Sequence, residues 1–459
     1  MDVFDLKEII ENIRFFISAR DEANLKNMLL STHPADIVDI IVNLDEEESE
    51  YIFSLLPSEL ASEVISDLDD YNREQILEDM EDVRLTEIVD EMDSDDATDL
   101  VSELPKDKAI KVLEGIDIED SEAVQRLLRH EEDTAGGIMA LEFVAVNQNT
   151  TVDEAIQVLR AKADEVEDVY NVYVVDDRQK LIGILPIKHL ILKTGSTRIS
   201  DIMERDVISV REDMDQEVVA RLVKKYDLVS IPVVDPEGRL VGRITVDDVM
   251  DVVEEEASED IHRLAGISDD VEIYETSPFK ISKVRLPWLL FSFFGEIGSA
   301  MVLSRFQASL EKIIIAAFFI PIIMAMGGNA GIQSSTIMVR GLALGEVGLL
   351  HARKQLLKEF RVSLINGFVC GILLFGVISL WGHYIAFSHF WEFGALIGIS
   401  MFLIIINATL VGAFIPLFLK KLDVDPAIAT GPFITTSNDI FGLLIYLGLA
   451  TVFLMHHSL

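Results

Sequence analysis

After residue 285 apolar residues run with few interruptions, in five stretches at about 286–304, 313–339, 362–382, 393–419 and 432–454. Each is long enough to cross a bilayer as a helix. The buried core of a soluble protein does not repeat such runs five times. The second and fourth stretches carry Pro321 and Pro416 and are long enough to tilt or kink. The pattern before residue 133 is different. Leu44, Leu56, Leu68, Met80, Met92, Leu104 and Ile116 fall twelve residues apart. The residue after each is acidic or proline: Asp45, Pro57, Asp69, Glu81, Asp93, Pro105 and Asp117. Short helical patterns such as 59–66 and 86–91 lie between them. A short-period helical solenoid accounts for this, so residues 1–132 are expected to form an acidic, all-α superhelical domain.

Residues 138–260 read as two copies of a small α/β unit. The first has a strand at 144–146, a helix from Thr151 to about Ala163, and strands at 172–176 and 181–185. The second has a strand at 207–210, a helix from Met214 to Lys225, and strands at 231–235 and 240–244. Their strands are β-branched and their turns carry glycine or charge. Matching Asp176 to Asp235 sets the repeat near 59 residues. Residues 250–264 read as a helix leading toward the first apolar stretch. The expected organisation is a multidomain membrane protein: a helical N domain (1–132), two α/β domains (133–200 and 201–260), a connecting helix (261–285) and a five-helix transmembrane bundle (286–459).

Charge sharpens this division. The net charge is -41, and residues 1–285 hold 71 acids against 29 bases. Such a surface repels nucleic acid and attracts cations. Solubility or a high-salt habitat is the plainer explanation. Cys370 is the only cysteine, so no disulfide framework or thiolate metal site is expected. The N-terminus lacks a basic-then-apolar start, so no cleaved signal peptide is expected and residues 1–285 are placed in the cytoplasm. Bases gather before the first stretch (Lys280, Lys283, Arg285), at 340–361 and at Lys420–Lys421. The positive-inside rule then puts the N-terminus inside and the C-terminus outside a plasma membrane.

Asp439 is the plainest polar intruder, within Thr435-Thr436-Ser437-Asn438-Asp439 of the last stretch. A carboxylate there binds a cation, pairs with a base or is protonated, and no base lies deep in any stretch. The adjacent hydroxyls and Asn438 offer oxygen ligands, which hard divalent cations prefer. The run 327–336, Gly-Gly-Asn-Ala-Gly-Ile-Gln-Ser-Ser-Thr, allows either close helix packing or a helix break with carbonyls facing a cavity. Glu296 lies near a pore or against another helix. Asn407 suits an interhelical hydrogen bond. In the acidic half, Asp93, Asp95, Asp96 and Asp99 crowd together, with Asp95 and Asp99 on one helix face. Asp248, Asp251, Glu255 and Glu259 form a second acidic face. Either these are solvated surfaces or divalent ions bridge them. An enzyme is not expected, since His351, His383 and His389 do not converge with Asp439.

The α/β repeat resembles a tandem pair of cystathionine-β-synthase-type (CBS) domains, a group that binds adenosine ligands or transmits regulatory state. The segment Gly242-Arg-Ile-Thr245-Val-Asp247-Asp248 is similar to the group's ribose- and phosphate-contacting ending, which implies adenine-nucleotide (ATP) contacts at Thr245 and Asp248. The matching segment Gly183-Ile-Leu-Pro186-Ile-Lys-His189 departs from it. The whole chain resembles the MgtE family of magnesium channels and transporters. Phe319-Ile320-Pro321, Met326 to Ser334 and Val339-Arg340-Gly341 look like its second-helix signature. Asp425-Pro426-Ala427, Gly431-Pro432, Thr435-Thr436 and Asn438 to Gly442 look like its fifth-helix signature.

The resemblance implies a homodimer in the lipid bilayer, without nucleic acid or an obligate protein partner. Its pore lies between subunits, and Asp439 from both chains holds hydrated magnesium. Gly328, Asn329, Thr435 and Asn438 are the pore-lining candidates. The resemblance also implies magnesium sensors at Asp95 and Asp99, at Asp248, Asp251, Glu256 and Glu259, and at Asp425 by the inner mouth. Cytoplasmic magnesium bound there would close the pore. A broader carrier of cobalt or manganese, or a sensor without transport, are the alternatives.

Overall fold

The computed structural model describes residues 3–459 apart from 79, 164, 165, 167, 168, 266, 268–277, 344, 346, 349, 350, 386–389, 423, 430, 458 and 459. The chain divides into two compact units, residues 1–255 and 256–459.

The first unit opens with short helices. From residue 46 onward they span Glu46–Ser54, Ser58–Ser66, Asp70–Glu78, Asp82–Val89, Ser94–Glu103, Lys106–Gly115 and Ile118–Leu127, so each starts twelve residues after the last. This explains the sequence period. The recurring Leu, Met or Ile closes each turn of the solenoid, and the acid or proline after it takes the N-cap position. Asp45 accepts from the Glu48 N–H and Asp69 from the Asn72 N–H, both at 3.0 Å. Each satisfies a backbone donor that the helix leaves open. Pro57 and Pro105 cap without a side-chain bond, having no N–H to satisfy and a fixed entry angle. Ile52, Ile65, Leu85, Ile88 and Val101 face inward along one continuous apolar core.

Two three-stranded sheets follow, of identical topology. Ala145–Asn147 pairs parallel with Asn171–Val175, which pairs antiparallel with Leu181–Pro186. Val210–Arg211, Ser230–Val234 and Leu240–Thr245 repeat the arrangement. The copies also exchange matching bonds. The Leu181 N–H donates to Gly238 O and the Leu240 N–H to Gln179 O, both at 3.1 Å. Each pair maps onto the other by the 59-residue step. The first strand of the second copy is shorter and later than the 207–210 expected. Its helix is Gln216–Tyr226, started by Asp215 accepting from the Val218 N–H. A helix then runs Val246–Ala265, beginning four residues before the expected 250. Thr245 supplies the cap: its N–H and hydroxyl both donate to Asp248 Oδ2, at 2.8 and 2.5 Å. Most of the expected connecting stretch beyond it, 268–277, lies outside the described residues.

The second unit contains five helices long and apolar enough to span a membrane: Pro278–Arg305, Ile314–Ala343, Ala352–Trp381, Phe390–Lys421 and Gly431–His456. The first four extend past the apolar runs at one end or both because basic ends such as Lys280, Arg340, Arg353 and Lys421 are helical too, and long cationic side chains reach the interface. The second is interrupted at 318–319, just before Pro321, and resumes as Ile320–Ala343. Proline sits in the first turn of the resumed helix, where its missing N–H costs nothing. At the break the Ala316 carbonyl accepts from the buried Tyr446 hydroxyl at 2.8 Å. The fourth helix packs on the second, third and fifth, and the fifth also packs on the first.

Glycines set these crossings. A Cβ at Gly412 would overlap the Gly331 carbonyl, and one at Gly398 would lie 2.7 Å from the Gly371 oxygen. Between lipid-solvated helices, such contact is the main source of association. Residues 327–336 therefore lie in an unbroken helix, and the expected alternative of an opened backbone there is corrected. We expect Gly412→Ala to lower the thermal midpoint in detergent by the equivalent of about 1–3 kcal/mol. Gly448→Ala, which meets open space, should leave it unchanged or raise it slightly.

Candidate cation sites

In the first unit the helix Ser94–Glu103 starts with a run of acids, because its cap and first turn are Asp93, Asp95 and Asp96. Folding adds a fourth from elsewhere. The Ser94 hydroxyl donates to Glu142 Oε2 at 2.8 Å and accepts from the Leu141 N–H at 2.9 Å. This anchor draws Glu142 in, so that Asp93, Asp95 and Glu142 each place an oxygen within 4.8 Å of the others. Burial holds Asp95 well above the ordinary carboxylate range, with further repulsion from Asp248, Asp96, Asp93 and Glu142. Asp96 is pushed up to about 6 by burial and by Asp248 and Asp67, against relief from Ser66 and Arg73. Asp99 reaches about 7 through burial, Asp96 and Glu103. Both side chains still reach solvent.

A neighbouring group continues this one. Asp248 is raised by burial, with its Thr245 bonds pulling the other way. Asp251 is raised by burial, Asp248, Asp67 and Asp247. Asp67 is itself raised by burial and by Asp247, against His33. The predicted residues Asp95, Asp99, Asp248 and Asp251 thus belong to one connected field of acids. Sequence reasoning missed Glu142 and Asp67. Glu142 has no periodicity to mark it, and only its Ser94 anchor, 48 residues away in sequence, brings it here.

In the second unit the lower part of the Val246–Ala265 helix carries Glu256, Glu259 and Asp260. Arg263 pairs with both Glu259 and Asp425. Asp260 is pushed to about 6 by burial, Asp425 and Glu256. Two of the predicted metal ligands, Glu259 and Asp425, therefore share an arginine in this structure. Asp425 also accepts from the Ala427 N–H at 2.9 Å.

Deeper in this unit the two signature segments meet. Asn438 is 2% exposed and Asp439 7%. The Asn438 amide donates to Gly327 O at 3.5 Å, and Gly331 leaves the room that its side chain fills. At Gly328 a Cβ would lie 3.7 Å from the Thr435 methyl. Gly328 is buried in this contact, while Asn329 points to the open face of its helix. Glu359, within the basic 340–361 segment, is buried and accepts from the Ser334 hydroxyl at 2.9 Å. Glu296 of the first helix reaches the Asp439 carboxyl.

Sequence profiles match the same architecture: an MgtE intracellular N domain at 32–133, CBS domains at 135–193 and 199–255, and a divalent cation transporter profile named MgtE at 320–449. The magnesium transporter MgtE of Thermus thermophilus is 38% identical over 440 residues, covering 95% of this chain and 96% of that one. The chain belongs to the MgtE family. Its Bacillus subtilis relative, also named magnesium transporter MgtE, is 38% identical across 76% of this chain and 75% of its own. Among solved structures, the cytosolic domain of the Mg2+ channel MgtE in complex with ATP is 38% identical with a TM-score of 0.51, covering 53% of this chain and 99% of that one. This MgtE protein is thus a multi-pass membrane protein with a helical N domain and tandem CBS domains. The relatives that match most of its length are named as transporters.

The acidic field has a pH signature. Asp96 and Asp99 hold protons above their ordinary value of 3.8, to about 6 and about 7. The metal-free fold then binds more protons than the unfolded chain between those values and loses stability as pH rises from about 4 to about 7. A bound divalent cation needs the ionised forms, so its affinity should weaken as pH falls from 7.5 to 6, by up to about tenfold per unit for each proton displaced. Calorimetry with and without magnesium across that range should show both trends, with magnesium flattening the first.

Proposed function

We propose that this MgtE protein carries magnesium across the plasma membrane as a homodimer, with Asp439 of both subunits at the permeation site. One observation carries the reading. The second- and fifth-helix signatures pack against each other around a buried acid, and among the described residues no base is paired with it. A buried carboxylate with no base beside it is neutralised by a proton or a cation, and we take it to be a cation. The oxygen ligands that carboxylates offer suit hydrated magnesium, which sheds its water reluctantly. The relatives' names support the same cargo. The first span has little of its surface covered by its own chain, which suits a place against lipid or a second subunit.

A second reading, a broader divalent-cation transporter, is favoured by the same oxygen chemistry, which also admits manganese and cobalt.

Regulation follows from the acidic field. Magnesium bound among Asp95, Asp99, Asp248 and Asp251, and at Glu256, Glu259 and Asp425, would favour a closed form by its differential affinity for that form. The basic loops support an N-terminus inside and a C-terminus outside. An adenine nucleotide is the second regulatory ligand in this reading, contacting Thr245 and Asp248, since a relative's cytosolic domain was solved with ATP.

Flux into liposomes tests the core of this. Asp439→Ala should abolish magnesium uptake, and Asp439→Asn should impair it severely, in protein that still elutes as a dimer. Normal uptake by either at equal incorporation removes Asp439 from the pathway. For gating, replacing Asp95, Asp99, Asp248, Asp251 and Glu259 together with alanine should leave flux only weakly inhibited by internal magnesium. An unchanged inhibition midpoint would reduce these acids to surface charge.

A further inference from the structure

The first and fifth membrane helices run side by side in matched register. Phe291 stacks on Phe433 with ring centroids 5.9 Å apart. One turn on, Gly295 meets Thr436 so closely that a methyl group there would overlap the threonine side chain. The next turn sets Gly298 against Ile440, whose Cδ1 would lie 3.6 Å from an added Cβ. This register fixes Glu296 at the level of Asp439, and the two carboxyl groups are within hydrogen-bonding reach. Glycine at 295 and 298 is what permits the approach.

Two further buried oxygens belong to residues close to the pair in sequence. Ser299 follows Glu296 by three residues, on the same helix face, and is 3% exposed. Its hydroxyl has no hydrogen-bond partner among the described residues, and neither does Asn438 Oδ1, next to Asp439 and equally buried. Buried polar atoms without partners are rare and need a reason. Two ionised carboxylates in contact repel strongly away from water. A divalent cation inside its water shell answers both features. Its charge neutralises both acids, and its waters can donate to carboxylate and amide oxygens or accept from the hydroxyl. A monovalent cation neutralises only one of the two.

We propose that Glu296 is a second anionic residue of the permeation site, acting with Asp439 of the same chain to set half-saturation and the preference for divalent over monovalent cations. This rests on the reading of Asp439 as the permeation-site acid.

The test uses the full-length protein in liposomes, comparing wild type, Glu296→Gln, Glu296→Asp and Asp439→Ala. Three quantities are read: the magnesium concentration at half-maximal flux, block by hexaamminecobalt(III) as an exchange-inert mimic of the hydrated ion, and sodium leak. Glu296→Gln keeps the shape and loses the charge. It should raise half-saturation by about tenfold, on the order expected when one of two close charges is lost. Block should weaken in parallel and the sodium leak should rise, with Glu296→Asp recovering part of all three. If Glu296→Gln matches wild type in half-saturation and block while Asp439→Ala is dead, Glu296 is a packing residue and this proposal fails alone. Normal flux in Asp439→Ala removes the underlying reading, and this proposal with it. Should Glu296→Gln lose its monodisperse elution, Glu296→Asp decides, because withdrawing the charge by one methylene must shift half-saturation, and no shift overturns the assignment.

Discussion

Carboxylates packed against one another away from bulk water must each find a base, a proton or a metal ion, and this protein supplies few bases. Its soluble portion has 71 acids against 29 bases up to residue 285. Part of that excess is architectural. A solenoid that starts a helix every twelve residues needs an N-cap at every start, and aspartate caps well while also opposing the helix dipole. Capping alone would leave these acids spread along the solenoid. At Ser94–Glu103 the cap is followed by two more acids, and the Ser94 anchor delivers Glu142 to the same place. Asp248 arrives from the end of the second CBS copy, where Thr245 holds one of its oxygens. Each of these contacts is ordinary by itself. With burial as the larger cause, they raise the proton affinity of Asp95, Asp96 and Asp99, and a divalent ion that displaces those protons relieves the repulsion among the acids.

The membrane unit meets the same constraint with different means. Lipid offers no water to an unpaired group, so polar side chains must be packed against helices that come close enough to shield them. Glycine provides the closeness. Gly327 and Gly331 seat Asn438, Gly331 touches Gly412 across the other face, and Gly295 admits Thr436. The glycine-rich run of the second helix is thus a packing surface on two sides. It holds the fifth helix so that Asn438 and Asp439 stay buried at a fixed depth.

How much of this was legible depended on the range of the interaction involved. The solenoid, the repeated α/β unit and the five spans were readable because their signals are local: a twelve-residue period, a 59-residue period and unbroken apolar length. The two membrane signatures and Asp439 stood out because polar residues are scarce in apolar runs. Boundaries were less legible. The strand at 210–211 is shorter than its β-branched run, and the helix at 246 starts where Thr245 and Asp248 bond, a contact that spacing alone does not reveal. Groups joined only by tertiary contact were the hardest. Glu142 lies in a linker with no pattern. Glu359 sits between Lys358 and Arg361 in a basic segment, and only the buried Ser334 contact shows that it packs inward. Glu296 was recognisable as an intruder, but its partner was not, since the register of two helices far apart in sequence is a property of the packed bundle.

The acids of this protein differ in what already balances them, and that difference orders their capacity to bind a divalent ion. Glu259 and Asp425 share Arg263, a charge fixed by the chain itself. A metal ion entering there must displace a guanidinium that is permanently charged and held at high local concentration. The gain on binding is reduced by whatever that contact contributes. Asp93, Asp95 and Glu142 bring their oxygens together, and burial and the neighbouring acids hold Asp95 well above the ordinary carboxylate range. There an entering ion removes repulsion between acids that the fold otherwise carries. Magnesium should therefore occupy the Asp95 cluster at lower concentration than the Arg263 contact. A response in two steps follows from the chemistry of the balancing charge, without any need for different ligand types at the two places.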